Sequence, residues 1–191
     1  MRILRHALLA TILAVPVAAQ AQDFGGFDPS ALMGSAQDVL SRAPDGEVDG
    51  LFQALHGAMQ SPGEARAICT LFDGGAERGL DSINAVAMQL PEASRQRFVD
   101  ATAALLVAGL QGQPQPYDAA AAAQALKSNG ARAAILHDGF TAGLADGATA
   151  DARCGSMRAM LDVLAQRPLG ERAQVTRLLL SEGMKQASSA R

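Results

Sequence analysis

The chain has no excess of positive charge and few features of a nucleic-acid or membrane protein. Its 191 residues include 16 lysines and arginines against 19 aspartates and glutamates, a net charge of −3. Nucleic acids and anionic membranes are bound by basic surfaces, so the composition argues against both as partners. Beyond the N-terminus, charged or amide side chains interrupt every apolar run. We therefore expect no stable membrane insertion of the mature protein.

Recognisable catalytic motifs are also absent. The sequence contains no G-x-S-x-G elbow, no H-E-x-x-H metal motif, no P-loop and no dinucleotide-binding fingerprint. We accordingly predict no catalytic residue, no metal ligand and no cofactor. An enzyme is the less favoured class of protein for this chain.

The first 21 residues have the form of a secretory signal peptide. Arg2 and Arg5 precede a short apolar run over 7–17, and Ala19 and Ala21 occupy the two small-residue positions that a signal peptidase reads. We predict cleavage after Ala21. This removes two of the 16 basic residues and leaves 14 against 19 acidic ones, a net charge of −5. The mature protein is then expected to be soluble and to lie in the periplasm or outside the cell.

The periodic segments that follow have helical spacing, and none alternates as a β-strand does. One of them carries apolar side chains on a single face at positions 48, 51, 52, 55 and 59. We predict an all-α fold, an irregular antiparallel bundle of about seven to nine short helices. The predicted organisation is a flexible leader over 22–28, a single helical domain over 29–186 and a disordered tail over 187–191.

Two local patterns give further expectations about the helices. Asn129-Gly130 predicts the end of a helix that Asp118 begins, because asparagine and glycine are typical of helix C-termini. In the preceding helix, which we expect to be the longest, six residues line one face. That face carries Phe98, Thr102, Leu105, Leu106, Gly109 and Leu110.

A weak internal match indicates a duplication within the chain. A shift of 77 residues superposes four identical pairs: Val86 on Val163, Gln89 on Gln166, Pro91 on Pro168 and Arg95 on Arg172. The match predicts two helix–proline–helix hairpins, joined to each other by the two cysteines of the chain.

These cysteines, Cys69 and Cys154, lie 85 residues apart. An even number of cysteines in an exported chain favours a disulfide. A zinc site requires four ligands, and a redox-active pair has the C-x-x-C spacing; neither pattern is present. We predict a structural disulfide between Cys69 and Cys154.

The stretch "LHDGFTAGLADG", residues 136–147, holds the best candidates for a functional site. If it is helical, Gly139 and Gly143 lie along one edge, where they allow another helix to approach closely. His137 could act as a general base or bind a metal, but the adjacent Asp138 would point about 100° away on a helix and could not orient it. We predict a packing role for the glycines, and we retain His137 and Asp138 as functional candidates.

These features favour a non-enzymatic, exported helical protein that binds another protein. An inhibitor, an immunity-type factor or an assembly adaptor fits an acidic, disulfide-linked helical domain without catalytic motifs. The alternative is a carrier that holds an apolar small molecule or lipid between its helices. A helical hydrolase is the third candidate.

Overall fold

The computed structural model describes residues 29–72 and 80–189, and in these ranges it contains nine α-helices, one 3₁₀ helix and no β-strand. The all-α bundle predicted from the sequence is thus confirmed. The helices are α1 (Pro29–Arg42), α2 (Asp45–Met59), α3 (Pro62–Cys69), α4 (Leu80–Gln89), α5 (Glu92–Gln111), α6 (Ala119–Leu136), α7 (Phe140–Gly143), α8 (Ala150–Ala165) and α9 (Leu169–Ser189), with the 3₁₀ helix (Thr70–Phe72) after α3. The predicted signal peptide, 1–21, and leader, 22–28, lie outside the described residues.

Prolines form three of the corners between helices. Pro44, Pro91 and Pro168 each precede a helix, and their carbonyl oxygens accept hydrogen bonds of 2.9–3.2 Å from the amides three and four residues later. Proline has no N–H to donate and disfavours helical geometry in the residue before it. Each proline therefore ends one helix and starts the next.

Helix α2 lies at the centre of the bundle, where it packs against α3, α5, α8 and α9. The largest core cluster joins α2, α3, α8 and α9 through buried side chains that include Phe52, Met59, Ile68, Leu164 and Val175. A second cluster joins α1, α2, α5 and α9 and includes Val39, Leu40, Val48, Leu105 and Ala173. The apolar stripe predicted on α2 therefore faces the core.

The predicted duplication corresponds to locally equivalent structure, but the predicted hairpins are wrong. Gln89 and Gln166 each donate a 3.3 Å hydrogen bond to the carbonyl four residues earlier. Arg95 and Arg172 each donate to the carbonyl five residues earlier, at 2.9 and 2.6 Å. However, α4 packs mainly on α3, and α5 packs on α1 and α2. Likewise, α8 and α9 pack mainly on other helices and not on each other. The proline corners direct successive helices apart.

Helix α6 does not end at Asn129-Gly130 as predicted but continues to Leu136. Asn129 is buried, and its amide donates 2.8 Å hydrogen bonds to the carbonyl four residues earlier and to Glu171 on α9. Gly130 lies against Met160 of α8, whose Cε would be 3.2 Å from an added Cβ. Tertiary contacts thus keep these two residues in the helix despite their local preference.

The C-terminal helix also extends further than expected. Helix α9 runs to Ser189, whereas the helical domain was predicted to end at 186. Positions 187–189, assigned to a disordered tail, are therefore helical.

Candidate functional site

The stretch 136–147 is not one continuous helix. Helix α6 ends at Leu136, and His137 has an extended backbone at the C-cap position. Gly139 has a φ of 83° and precedes α7, a helix of four residues. His137 and Asp138 therefore lie in a turn between two helices, with His137 half-buried and Asp138 exposed.

The two glycines predicted to form one packing edge have different roles. Gly143 lies against α8 so closely that an added Cβ would be 2.6 Å from the carbonyl carbon of Ala152 and would overlap the Ser156 hydroxyl. Ser156 fixes the contact by donating a 2.6 Å hydrogen bond to the carbonyl of Phe140. Gly139 has no atom within 4 Å of such a Cβ. The packing role predicted for Gly139 is wrong, since this residue supplies the left-handed backbone of the turn.

The two cysteines meet at the junction of α3 and α8. Their Sγ atoms are 2.05 Å apart and their Cα atoms 5.5 Å apart, as in a disulfide bond. Cys69 is buried, and Cys154 is half-buried beside an open cleft. The bond thereby connects the last residue of α3 with the first half of α8.

Two open cavities follow one side of α8 and together form what we call the α8 groove. The first, of about 280 Å³, lies beside the disulfide and is lined by Arg66 and Asp151 among others. The second, of about 440 Å³, is lined by the turn with His137 and Asp138 and by Asp162 of α8. Gly155 and Arg158 line both cavities, so the two cavities adjoin along this side of α8.

At the far end of the groove, Asp162 contacts a histidine from another helix. The Nε2 atom of His56 lies 2.9 Å from Asp162 Oδ1, and Gln60 donates a 2.9 Å hydrogen bond to the same oxygen. Phe52 stacks on the imidazole, with ring centroids 5.8 Å apart. The sequence did not predict this contact, because His56 has no carboxylate four residues before or after it and Asp162 is 106 residues away.

A carboxylate that holds an imidazole is half of a base-catalysis arrangement. The other half would be a nucleophile or a substrate group at the imidazole. In the described part of the chain, the ring contacts only Asp162 and Gln60 by hydrogen bonding. The contact between His56 and Asp162 connects α2 with α8. It also makes this end of the α8 groove polar.

A buried ion pair continues the connection from α2 to α9. Arg172 donates two hydrogen bonds of 2.7 Å to the carboxylate of Asp49, which is 5% exposed. These hydrogen bonds raise the pKa of Arg172 above its ordinary value. The guanidinium also lies 5.8 Å from the ring centroid of Phe52. The pair is fully satisfied and stabilises the α2–α9 interface.

The outer surface of α5 is apolar. Val99, Leu106, Val107 and Leu110 are 59, 44, 56 and 70% exposed, respectively. The sequence places Leu106 and Leu110 on one face with Leu105 and Gly109, but of these four residues Leu105 and Gly109 are buried and the other two are exposed. The exposed side chains recur at helical spacing on the side opposite Leu105 and Gly109. We call this set, with Ala103 between them, the α5 surface.

Neither a metal cluster nor a membrane-spanning helix is found in the described ranges. No three histidine, cysteine, aspartate or glutamate side chains in 29–72 and 80–189 are placed to hold a metal ion. The helices within the same ranges are all too short or too polar to cross a bilayer.

Comparison with known proteins gives no match. No protein-family model, no curated protein sequence and no solved structure is similar to this chain.

Proposed function

We propose that this chain is an exported protein that binds another protein through the α5 surface. The observation that carries the proposal is an apolar helix face with no cover in the described chain, opposite the face that packs on α1 and α2. A helix that is apolar on all sides is normally buried on all sides. The second apolar face of α5 thus fits a partner rather than water.

The charge distribution supports this function for α5. Residues 101–117 contain no charged side chain, and the stretch covers the C-terminal half of α5 and the connector to α6. Charged residues are depleted at the centres of protein interfaces, and apolar contacts dominate there. The α5 surface has the composition of such an interface centre.

The chemistry of the partner follows from the two ends of the α5 surface. Val99 and Leu110 are 11 residues apart, which is about 16 Å along a helix. Asp100 lies exposed at the N-terminal end of the surface, where it accepts a hydrogen bond from Gln96 but has no cationic partner in the described chain. We infer a partner segment of about three helical turns, apolar at its centre, with a lysine or arginine facing Asp100.

The biological setting of this proposal comes from the sequence. The signal-peptide pattern over 1–21 and the cysteine pair at bonding distance fit a protein of the periplasm or the cell exterior. An inhibitor, an immunity-type factor or an assembly adaptor are the protein-binding roles that suit such a domain.

Site-specific photo-crosslinking in the exporting cell tests the proposal. A photoreactive residue at Ala103, in the centre of the α5 surface, should give one discrete heteromeric adduct. The same residue at Lys127, exposed on α6, is the matched control and should not give it. Loss of the adduct on Leu110→Asp would support the proposal. An identical adduct from both positions, no adduct, or an adduct with a second copy of this chain would refute it.

The alternative function, a carrier that holds an apolar small molecule or lipid between the helices, makes a different prediction. Native mass spectrometry would then show a lipid retained inside the bundle, and Leu110→Asp would leave both the lipid and the function unchanged. Retention of a lipid together with no effect of the α5 substitution would favour the carrier.

A further inference from the structure

The cleft beside the disulfide contains two arginines without a partner in the described chain. Neither Arg66 nor Arg158 forms an ion pair with the residues of 29–72 and 80–189. The Nε atom of Arg158 is buried and has no hydrogen-bond acceptor in these ranges. A buried donor that has lost its hydration without gaining an acceptor costs free energy. The terminal N–H groups of Arg66 and Arg158 have no acceptor in these ranges either, and an anionic ligand in the cleft would supply one.

The ends of two helices add positive potential to the same cleft. Pro62 is the first residue of α3 and Ala150 is the first residue of α8, and both line the cleft. Pro62 has no N–H and Thr149 already accepts a hydrogen bond from Ala152, but both helix ends carry a partial positive charge, which favours an anion.

The carboxylate of Asp151 also lines the cleft, so Arg66, Arg158 and Asp151 together carry a net charge of +1. In a chain of net charge −3, this is a site for a single anionic group.

Next to this charged end lies the second cavity, whose walls are only partly apolar. Gly155 forms the floor of the groove, where an added Cβ would have no atom within 4 Å. Beyond Gly155, the second cavity is lined by the apolar residues Phe140, Ala142 and Ala159, and also by the carboxylates of Asp138 and Asp162. From Asp151 to Asp162 the groove follows α8 for 11 residues, or about 16 Å. An elongated ligand of this length has room along the helix.

From this geometry we propose that the α8 groove binds an amphiphilic anion with a single charged head group. Its carboxylate or phosphate group lies between Arg66 and Arg158, and its apolar chain passes over Gly155 towards Phe140. The α8 groove and the α5 surface have no residue in common. The ligand site can therefore be tested independently of the proposed protein binding.

Titration of the oxidised protein by two-dimensional amide NMR tests the site. The probes are decanoate and decyl phosphate below their micelle concentrations, with decanol as the uncharged control. The anions should produce saturable shifts at amides of 150–158 and 137–143, and decanol should bind at least tenfold more weakly. The ratio of the two anion affinities identifies the preferred head group. No saturable shifts, shifts confined to α5, or equal binding of decanol would overturn the proposal.

Three substitutions make the test specific. Arg158→Gln should weaken decanoate binding at least tenfold, whereas Arg132→Gln, at an exposed arginine of α6 outside the groove, should leave it unchanged. Gly155→Leu keeps both arginines but fills the floor of the groove, and it should also weaken decanoate at least tenfold. Because leucine favours a helix more than glycine does, this variant is expected to fold even if Arg158→Gln does not. Wild-type affinity in Gly155→Leu, or equal losses in the two arginine variants, would contradict the site.

Discussion

Gly143 lies so close to Ala152 that the two helices which carry them leave no room for a side chain between them. An added Cβ at Gly143 would be 2.6 Å from the carbonyl carbon of Ala152. The contact holds the short helix α7 against α8 and so shapes one wall of the α8 groove.

The first prediction compares Gly143 with a glycine of α8 that has no close neighbour. Gly143→Ala should destabilise the protein by about 1–3 kcal/mol, the usual effect of overpacking. Gly155→Ala on the facing helix is the matched control, since its Cβ meets no atom within 4 Å. It should stabilise the helix by about 0.5–1 kcal/mol. Urea unfolding of both variants measures the difference, and a neutral Gly143→Ala would show that the close contact is not formed in solution.

The second prediction concerns Gly139, which adopts a φ of 83° without close neighbours. Gly139→Ala should cost about 1 kcal/mol through backbone strain, and Gly139→Asn should cost less because asparagine tolerates this conformation better. Thermal unfolding distinguishes the two variants. Equal stability of all three proteins would mean that the turn has another conformation.

The sequence predicted the elements of this region but not how they are joined. The spacing of Gly139 and Gly143 is that of one helix edge, but spacing alone does not reveal that Gly139 has a left-handed backbone. Likewise, Asn129-Gly130 resembles a helix end until the bond from Asn129 to Glu171 is known. Local sequence preferences therefore predict the helix ends that proline or capping residues mark. Tertiary contacts determine the other helix ends.

The features that form the candidate sites were the hardest to predict. His56 and Asp162 meet over a separation of 106 residues, and no local pattern in the sequence links them. The α5 surface was hidden for another reason. That helix is apolar on two faces, so periodicity could not tell which leucines are buried. Cys69 and Cys154 were the exception, because the chain offers one way to pair two cysteines.

The third prediction is the effect of reducing the disulfide. The bond closes a loop of 85 residues, and chain-entropy reasoning assigns such a closure up to about 4–5 kcal/mol. Reduction, or the double substitution Cys69→Ala/Cys154→Ala, should lower the free energy of unfolding by several kcal/mol. Thiol labelling of the denatured, unreduced protein should find no free thiol, whereas two labelled thiols would exclude the bond.

The fourth prediction tests the buried pair of Asp49 and Arg172. Asp49→Asn leaves the guanidinium without its charged partner and should destabilise the protein by about 3 kcal/mol. Asp38→Asn removes the partner of Arg42 in an exposed pair on α1 and is the control. It should change stability by about 0.5 kcal/mol or less. Similar effects of the two substitutions would mean that the Asp49 pair is hydrated in solution.

The fifth prediction is a pH dependence at Glu171. Hydrogen bonding from Arg167, with a smaller contribution from Asn129, lowers the pKa of this carboxyl below its ordinary value of 4.5. A carboxyl whose pKa is lowered by folding stabilises the protein above its unfolded-state pKa and loses this contribution as the pH falls through the folded-state value. Glu171→Gln should therefore be less stable than wild type at pH 7, and the difference should shrink towards pH 3. A difference independent of pH would exclude the charge as its cause.

The central claim is that the α5 surface binds a protein partner, and the affinity of the partner captured at Ala103 tests it most directly. Leu110→Asp, at a side chain 70% exposed, should weaken that affinity at least 100-fold while the melting temperature stays unchanged. Ile135→Asp introduces the same charge at another exposed apolar residue, 83% exposed on α6, and should leave the affinity as in wild type. Unchanged binding by Leu110→Asp, or an equal loss in Ile135→Asp, would contradict the proposed function.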